Sequence, residues 1–97
     1  MELMFSEYFQ PGGFFFEVRK KNFSEAKSEE VVGAIKSIEV NNIDDAEWIN
    51  IAKSIWDFPF FARMYRDRCV ENGADEKKYD AFTMDLYQAT ERILRRA

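Results

Sequence analysis

Residues 48–68, WINIAKSIWDFPFFARMYRDR, constrain the fold more than any other stretch of this chain. They hold both tryptophans, three of the ten phenylalanines and one of the two prolines. Pro59 lacks a backbone N–H and disfavours helical geometry at Phe58. We therefore expect one helix to end near Asp57 and a second to begin with Pro59 at its first position, where proline is favoured. A single kinked helix is the alternative.

The first half of this segment carries the clearest helical pattern in the sequence. Its apolar side chains recur at i, i+3, i+4, i+7 and i+8, which is one face of an amphipathic helix: Trp48, Ile51, Ala52, Ile55 and Trp56. We expect this stripe to lie in the core. Past the proline, the sequence leaves open whether Phe58, Phe60 and Phe61 complete that core or protrude from it.

The N-terminal region predicts a β-hairpin. Two phenylalanine-rich runs, residues 3–9 and 14–19, flank a Pro-Gly-Gly turn at 11–13. The second strand would place three apolar side chains on one face: Phe14, Phe16 and Val18. Phe15 would then lie on the opposite face, for which a one-sided sheet offers no reason. A short helix over 2–9, ended by the proline and glycine, is the alternative.

Two further segments predict helices. Residues 28–40 carry apolar side chains at helical spacing, although the same residues also alternate in the manner of a strand, and we favour the helix. Residues 75–96 repeat large side chains with 3-4-3-4 spacing, close to a coiled-coil seam: Tyr79, Phe82, Leu86, Ala89 and Ile93. This seam suits a homodimer through 75–96 as well as an internal core.

The patterns together predict an α+β fold, in which an N-terminal β-hairpin packs against three to four helices. An all-α bundle is the alternative. A chain of 97 residues with 46% hydrophobic and 33% charged residues is long enough and apolar enough for one globular domain. We therefore expect residues 1–97 to form a single small domain.

Most catalytic side chains are absent from the sequence. The chain has no histidine and a single cysteine, Cys69, which excludes Ser-His and Cys-His nucleophiles and ordinary zinc sites. It has no glycine-rich phosphate-binding motif. Asp44, Asp45 and Glu47 have the oxygen chemistry that Mg²⁺ prefers, but their position at a helix start favours capping. We expect no enzyme activity, no cofactor and no metal.

The net charge of −4 is concentrated in one region. Residues 24–47 hold seven acidic residues and two lysines, a net charge of −5. Basic side chains cluster later, at Arg63, Arg66 and Arg68 and again at 92–96, and we expect neighbouring acids to pair with them. An acidic region repels nucleic acid and steers a protein partner with a basic surface. Direct nucleic-acid binding is therefore not expected.

The sequence predicts neither secretion nor membrane insertion. Glu2 stands where a signal peptide carries Lys or Arg, and Ser6 and Glu7 interrupt the apolar run that follows. No run approaches 18 uncharged apolar residues, the length that a membrane span needs. The expected location is the cytoplasm.

The aromatic content of 16% is high for a chain with so small a core, and aromatic anchors dominate binding interfaces. A small acidic domain without catalytic groups is typical of bacterial or phage inhibitors. The sequence therefore predicts a non-enzymatic inhibitor of the immunity or antitoxin kind, which blocks a basic, nucleic-acid-handling protein. A phage anti-defence inhibitor of the anti-CRISPR kind is one alternative. A homodimeric structural or nucleic-acid-binding regulatory protein is another.

The residues expected to contact the partner fall into two groups. The acidic residues that would steer the partner are Glu29, Glu30, Asp44, Asp45 and Glu47. The aromatic residues that would be buried against it are Phe15, Trp48 and Tyr65.

Overall fold

The computed structural model describes residues 7–95, and all regular structure within them is helical. Two 3₁₀ turns cover Glu7–Phe9 and Val40–Asn42. Six α-helices follow in chain order: α1 Phe14–Arg19, α2 Glu25–Lys36, α3 Asp45–Ile55, α4 Phe58–Met64, α5 Arg66–Glu71 and α6 Glu76–Leu94. No strand occurs between residues 7 and 95.

The predicted α+β class and its N-terminal β-hairpin are therefore wrong, and the all-α alternative describes the fold. The run 14–19 forms helix α1, which buries Phe14, Phe15 and Val18 together. Positions i, i+1 and i+4 share one side of a helix but alternate across a strand. A helix thus explains the burial of Phe15, which a one-sided sheet could not.

The Pro-Gly-Gly turn serves as an entry to α1 rather than as a hairpin loop. Gly12 has a φ of +87°, a left-handed conformation that glycine adopts without strain. Gly13 is the N-cap residue, and a Cβ atom there would lie 2.2 Å from the Glu7 carbonyl oxygen. The alternative helix over 2–9 lies largely outside the described residues, and its described part forms the first 3₁₀ turn.

The predicted break at Pro59 is confirmed. Helix α3 ends at Ile55, and α4 begins at Phe58 with Pro59 in its first turn. Three helices are also capped at their N-terminus by a side chain that accepts a hydrogen bond from the backbone N–H three residues later. The capping residues are Ser24 for α2, Asp44 for α3 and Asp75 for α6. The segment 28–40 is helical as favoured, up to Lys36.

The apolar stripe of α3 reaches the core only in part. Ile51 and Ile55 are buried, and Trp48 is half-buried, but Trp56 is 63% exposed. The prediction that Trp56 lies in the core is wrong, because α3 ends one residue earlier and the chain turns towards α4. Past the break, Phe58 is buried and Phe61 half-buried, whereas Phe60 is 69% exposed.

Helix α6 is the longest helix and packs against α2, α3, α4 and α5. Its entire 3-4-3-4 seam is buried within its own chain: Tyr79, Phe82, Leu86, Ala89 and Ile93. A cluster of aromatic rings fills the space between this seam and the short helices. The Phe15 ring lies 4.8 Å from that of Phe58, and the Phe14 ring lies 5.1 Å from that of Phe82. Such ring pairs add about 0.5–1.5 kcal/mol each beyond the burial of area.

Replacing Tyr79 by Phe tests how α4 is held against α6. The buried Tyr79 hydroxyl donates to the carbonyl of Ala62 near the end of α4. Removing the hydroxyl leaves that carbonyl without its donor, which typically costs about 1–3 kcal/mol. We expect urea denaturation to show this loss in Tyr79→Phe. The matched control, Tyr87→Phe, alters a half-exposed tyrosine and should stay within about 0.5 kcal/mol of the wild type.

Candidate functional site

The candidate site is a groove between α4 and α6. One section, of about 700 Å³, is bordered by Trp56, Phe60, Met64, Tyr87 and Leu94. A second section, of about 680 Å³, continues towards α5 and includes Met84, Thr83 and Asp80. The two sections share Pro59, Arg63 and Tyr87, so they form one continuous groove. We call these two sections together the α4–α6 groove.

The pattern of α6 explains why this groove exists. Its inner seam, 79-82-86-89-93, is buried, and the neighbouring positions 80-83-87-90-94 repeat the same 3-4-3-4 spacing one residue later. Successive residues of an α-helix are about 100° apart. The second stripe therefore lies beside the core, where it forms one wall of the groove. Helix α4 supplies the facing wall.

Apolar exposure is concentrated in the groove. Among the described residues, seven large apolar side chains are exposed, and six of them border it: Trp56, Phe60, Met64, Met84, Tyr87 and Leu94. The seventh is Ile49, on α3. Single exposed apolar residues are ordinary, but a contiguous patch marks a binding surface.

Two polar groups in the groove have no partner within residues 7–95. The Thr90 hydroxyl is buried, borders the apolar section and makes no hydrogen bond. Arg63 borders both sections and forms no ion pair among the described residues. Across from it, Glu91 pairs with Arg95 at 2.8 Å. An occupant of the groove could therefore gain a charge contact with Arg63, whereas the Thr90 hydroxyl is enclosed by its own chain.

Arg66 closes the α5 end of the groove through a network of ion pairs. Its Nε donates to Asp80 Oδ1 at 2.8 Å, and its Nη1 donates to Asp67 Oδ1 at 2.9 Å. Its Nη2 donates to Glu76 Oε1 at 2.6 Å. The network raises the pKa of Arg66, and the bond from Arg66 lowers the pKa of Asp80. These contacts join α5 to α6 and leave Arg66 with little freedom to grip a ligand.

Other arginines are also engaged within the chain. The Arg92 guanidinium donates to the carbonyls of Ile35, Lys36 and Ile38 at 3.2, 3.3 and 2.9 Å. These carbonyls lie at the C-terminal end of α2, where a positive charge is favourable. Three acids were expected to pair with the arginines: Asp67, Glu71 and Glu91. Asp67 pairs with Arg66 at 2.9 Å and Glu91 pairs with Arg95 at 2.8 Å, whereas Glu71 forms no ion pair within residues 7–95.

The five predicted acidic contact residues are all exposed, and they lie in two places. Asp44, Asp45 and Glu47 occupy the first turn of α3, where Asp44 accepts from the Glu47 N–H at 2.8 Å. Glu29 and Glu30 are adjacent on α2 but border different clefts. Glu29 borders the cleft between α2 and α6, and Glu30 borders the one beside the first 3₁₀ turn.

The three predicted aromatic contact residues hold the fold together. Phe15 is fully buried. Trp48 is half-buried, and its Nε1–H donates to the Ile93 carbonyl in the last turn of α6 at 2.8 Å. Tyr65 is half-buried, with its ring 4.9 Å from that of Phe61. The structure therefore places none of the three in the α4–α6 groove.

Sequence reasoning missed most of the residues that border the groove. It leaves open whether Phe60 protrudes from the core, and it does not single out Met64, Tyr87 or Leu94. One signal could have found them. Once 79-82-86-89-93 is assigned to the core, the second stripe of α6 still carries Tyr87 and Leu94, which the core does not need.

Cys69 is fully buried, and burial raises the pKa of its thiol. A protonated, enclosed thiol is a poor nucleophile, as expected for a small buried apolar residue. Within residues 7–95, no three His, Cys, Asp or Glu side chains converge in a way that could hold a metal ion. In the same residues, no helix combines the length and apolar character needed to cross a membrane.

Comparisons with protein-family models, with curated proteins and with solved structures found no match to this chain. The groove and the charge distribution are therefore the features that bear on function.

The Arg66 network predicts a pH dependence of stability. The pKa of Asp80 is lowered in the folded protein, so its contribution is present above the unfolded value of about 3.9. That contribution is lost as the pH falls through the lowered folded value. We expect Asp80→Asn to lower the melting temperature near neutral pH, and the difference from the wild type to shrink steadily below about pH 4.

Asp85→Asn is the matched control, because it removes the same charge from the same helix without breaking an ion pair of the Arg66 network. It should lower the melting temperature less than Asp80→Asn near neutral pH. A difference for Asp80→Asn that is constant between pH 2 and pH 7 would contradict the role assigned to the ion pair.

Proposed function

We propose that this protein is a small non-enzymatic inhibitor that binds another protein through the α4–α6 groove. The observation that carries the proposal is the concentration of exposed apolar side chains there. Aromatic residues surrounded by a polar rim are the usual centre of a protein interface. Trp56, Phe60 and Tyr87 supply such rings, and Arg63 and Glu91 supply polar groups at their edge.

The charge distribution supports a partner with a basic surface. The acidic residues of α2 and of the first turn of α3 are exposed. Glu25 pairs with Lys78 at 3.1 Å. Exposed charges of one sign accelerate encounter with the opposite sign more than they strengthen the final complex. We therefore assign encounter to the acidic region and most of the binding free energy to the groove.

The partner class follows from this charge. A basic protein that handles nucleic acid would be drawn to the acidic region, and occupation of its site would block it, as an immunity or antitoxin protein does. A phage anti-defence inhibitor would use the same surfaces against a host nuclease complex. The proposed setting is the cytoplasm.

The apolar half of the proposal is tested by truncating exposed rings. Trp56→Ala and Phe60→Ala remove large side chains that the core does not use, so the melting temperature should change little. If the groove is the contact surface, each substitution should cost about 2 kcal/mol or more of binding free energy, roughly 30-fold in Kd. The measurement is calorimetric titration against the partner that the wild-type chain captures from its host.

Ile49→Ala is the matched control for these variants. It removes an exposed apolar side chain outside the groove and should leave Kd within about twofold of the wild-type value. Equal losses for Ile49→Ala and Trp56→Ala would place the contact surface elsewhere.

The electrostatic half of the proposal concerns rates. Glu29→Gln combined with Glu30→Gln removes two exposed negative charges from α2. We expect a several-fold lower association rate at low salt and an almost unchanged dissociation rate, measured by stopped flow or surface plasmon resonance. The difference from the wild type should shrink above 0.15 M salt, where the screening length is about 8 Å.

Glu71→Gln, at the end of α5, provides the comparison for this experiment, since Glu71 is exposed and lies outside residues 24–47. A wild-type association rate that does not depend on salt would remove the acidic region from the proposal and leave the groove untouched.

The homodimer expected through 75–96 is the second candidate. The seam expected to carry it is buried inside the chain. The exposed side of α6 is the observation that keeps a homodimer in consideration, with Tyr87 and Leu94 of the second stripe and the neighbouring Met84 exposed.

A further inference from the structure

We propose that in the free protein a second copy of this chain occupies the α4–α6 groove, so that two chains pair about a two-fold axis near Tyr87. This inference concerns the resting state and does not depend on the identity of any other partner. It uses a different surface of α6 from the seam that the core consumes.

The size of the apolar surface is the first argument. Trp56, Phe60 and Tyr87 expose 63, 69 and 51% of their surface, which is roughly 300–400 Å² for rings of about 150–250 Å² each. Met64, Met84 and Leu94 extend this surface along the groove. The largest apolar patch on a typical monomer is about 300–600 Å² and is often functional, and these rings already reach that range. A stable interface buries about 800 Å² per partner, so the rings alone supply nearly half of one side.

The shape of the surface is the second argument. In a two-fold dimer, the same patch lies on both sides of the interface. The patch must therefore contain both the protruding side chains and the recess that accepts those of the other copy. Phe60 and Trp56 stand exposed on one side of a recess of about 700 Å³. Tyr87 borders both sections of the groove and so lies near its middle. A two-fold axis near Tyr87 brings the rings of each copy to the recess of the other.

Charge complementarity is the third argument. Two chains with a net charge of −4 repel each other, and contact through the acidic region would bring charges of one sign together. The apolar section of the groove carries one cation, Arg63, and one carboxylate, Glu91. Its net charge is zero. A two-fold axis lets Arg63 of each copy face Glu91 of the other, and Arg63 has no ion pair among the described residues of its own chain.

The pattern of α6 is consistent with such a pair. Its second stripe, 80-83-87-90-94, contributes two large apolar side chains to the groove, Tyr87 and Leu94.

The test is sedimentation equilibrium of the purified full-length chain alone, between about 1 and 200 µM. A chain of 11.5 kDa should sediment at twice that mass at the upper concentrations. Tyr87→Glu places two carboxylates beside the axis and should raise the dimer dissociation constant at least tenfold. Ile49→Glu introduces the same charge at an exposed apolar position outside the groove and should sediment as the wild type does. Circular dichroism checks that both variants keep their helical content.

A mixing experiment tests the pairing of Arg63 with Glu91. Arg63→Glu alone puts two acids face to face at each of the two contacts, and Glu91→Arg alone puts two arginines there, so each variant should be monomeric. In a 1:1 mixture, every contact again joins an acid to an arginine, and the mixed dimer should form.

The outcomes separate this inference from the proposed function. A wild-type chain that stays monomeric at 200 µM overturns the dimer and leaves partner binding through the groove as it was. A dimer that survives Tyr87→Glu overturns the assignment of the groove as its interface. A dimer in the free protein, together with an unchanged Kd for the captured partner in Trp56→Ala, supports this inference and removes the groove from the proposed function.

Discussion

The break at Pro59 is the constraint on which the rest of this structure depends. A helix continued through residues 48–68 would distribute its large side chains over more than one face, because successive residues are about 100° apart. The proline instead ends α3 at Ile55 and starts α4 at Phe58. Helix α4 then packs on α6 with its own face, through Phe58 and Ala62. Trp56, at the end of the α3 stripe, remains outside the core. So do the side chains on the far side of α4.

The groove is a consequence of that break. Trp56 lies after the end of α3, and Phe60 and Met64 lie on the side of α4 that the core does not cover. Helix α6 contributes the other wall because it carries two stripes of 3-4-3-4 spacing, of which the core consumes one. The break at Pro59 and the second stripe of α6 thus supply the two walls of one groove.

The short helices illustrate how far the fold relies on tertiary contacts. Helices α1, α4 and α5 have six or seven residues, and isolated helices of that length do not persist in water. They are held by the aromatic cluster and by side-chain bonds to carbonyls near helix ends, such as those from Trp48 and Arg92. The aromatic residues expected to contact a partner hold the helices in place instead. They are Phe15, Trp48 and Tyr65, and they lie away from the groove.

The parts of the fold that local chemistry determines were predictable from the sequence. The break at Pro59, the caps at Asp44 and Asp75 and the stop at Gly73, whose φ is +107°, each follow from one residue and its neighbours. The N-terminal hairpin was wrong because three consecutive phenylalanines fit a strand and a helix equally well locally. The helix is stabilised by contacts with the rings of Phe58 and Phe82, which lie far along the chain. These rings pack against Phe15 and Phe14, which a helix buries together.

The same reasoning explains why the candidate site could be predicted only in part. The acidic residues are exposed because charged side chains favour water. Counting the acidic and basic residues along the sequence is therefore enough to locate the acidic region. The groove depends on which of two stripes of α6 the core takes and on where α4 sits after the break.

If a second copy and a partner protein both use this groove, they compete for it. The dimer then keeps the apolar surface covered until the partner binds. Because the dimer must dissociate before the partner can occupy the groove, its free energy of dissociation reduces the net free energy of partner binding. The acidic region lies outside the groove and remains exposed in such a dimer. It can therefore attract a basic partner before the groove is vacated, which gives the two surfaces separate roles in one binding event.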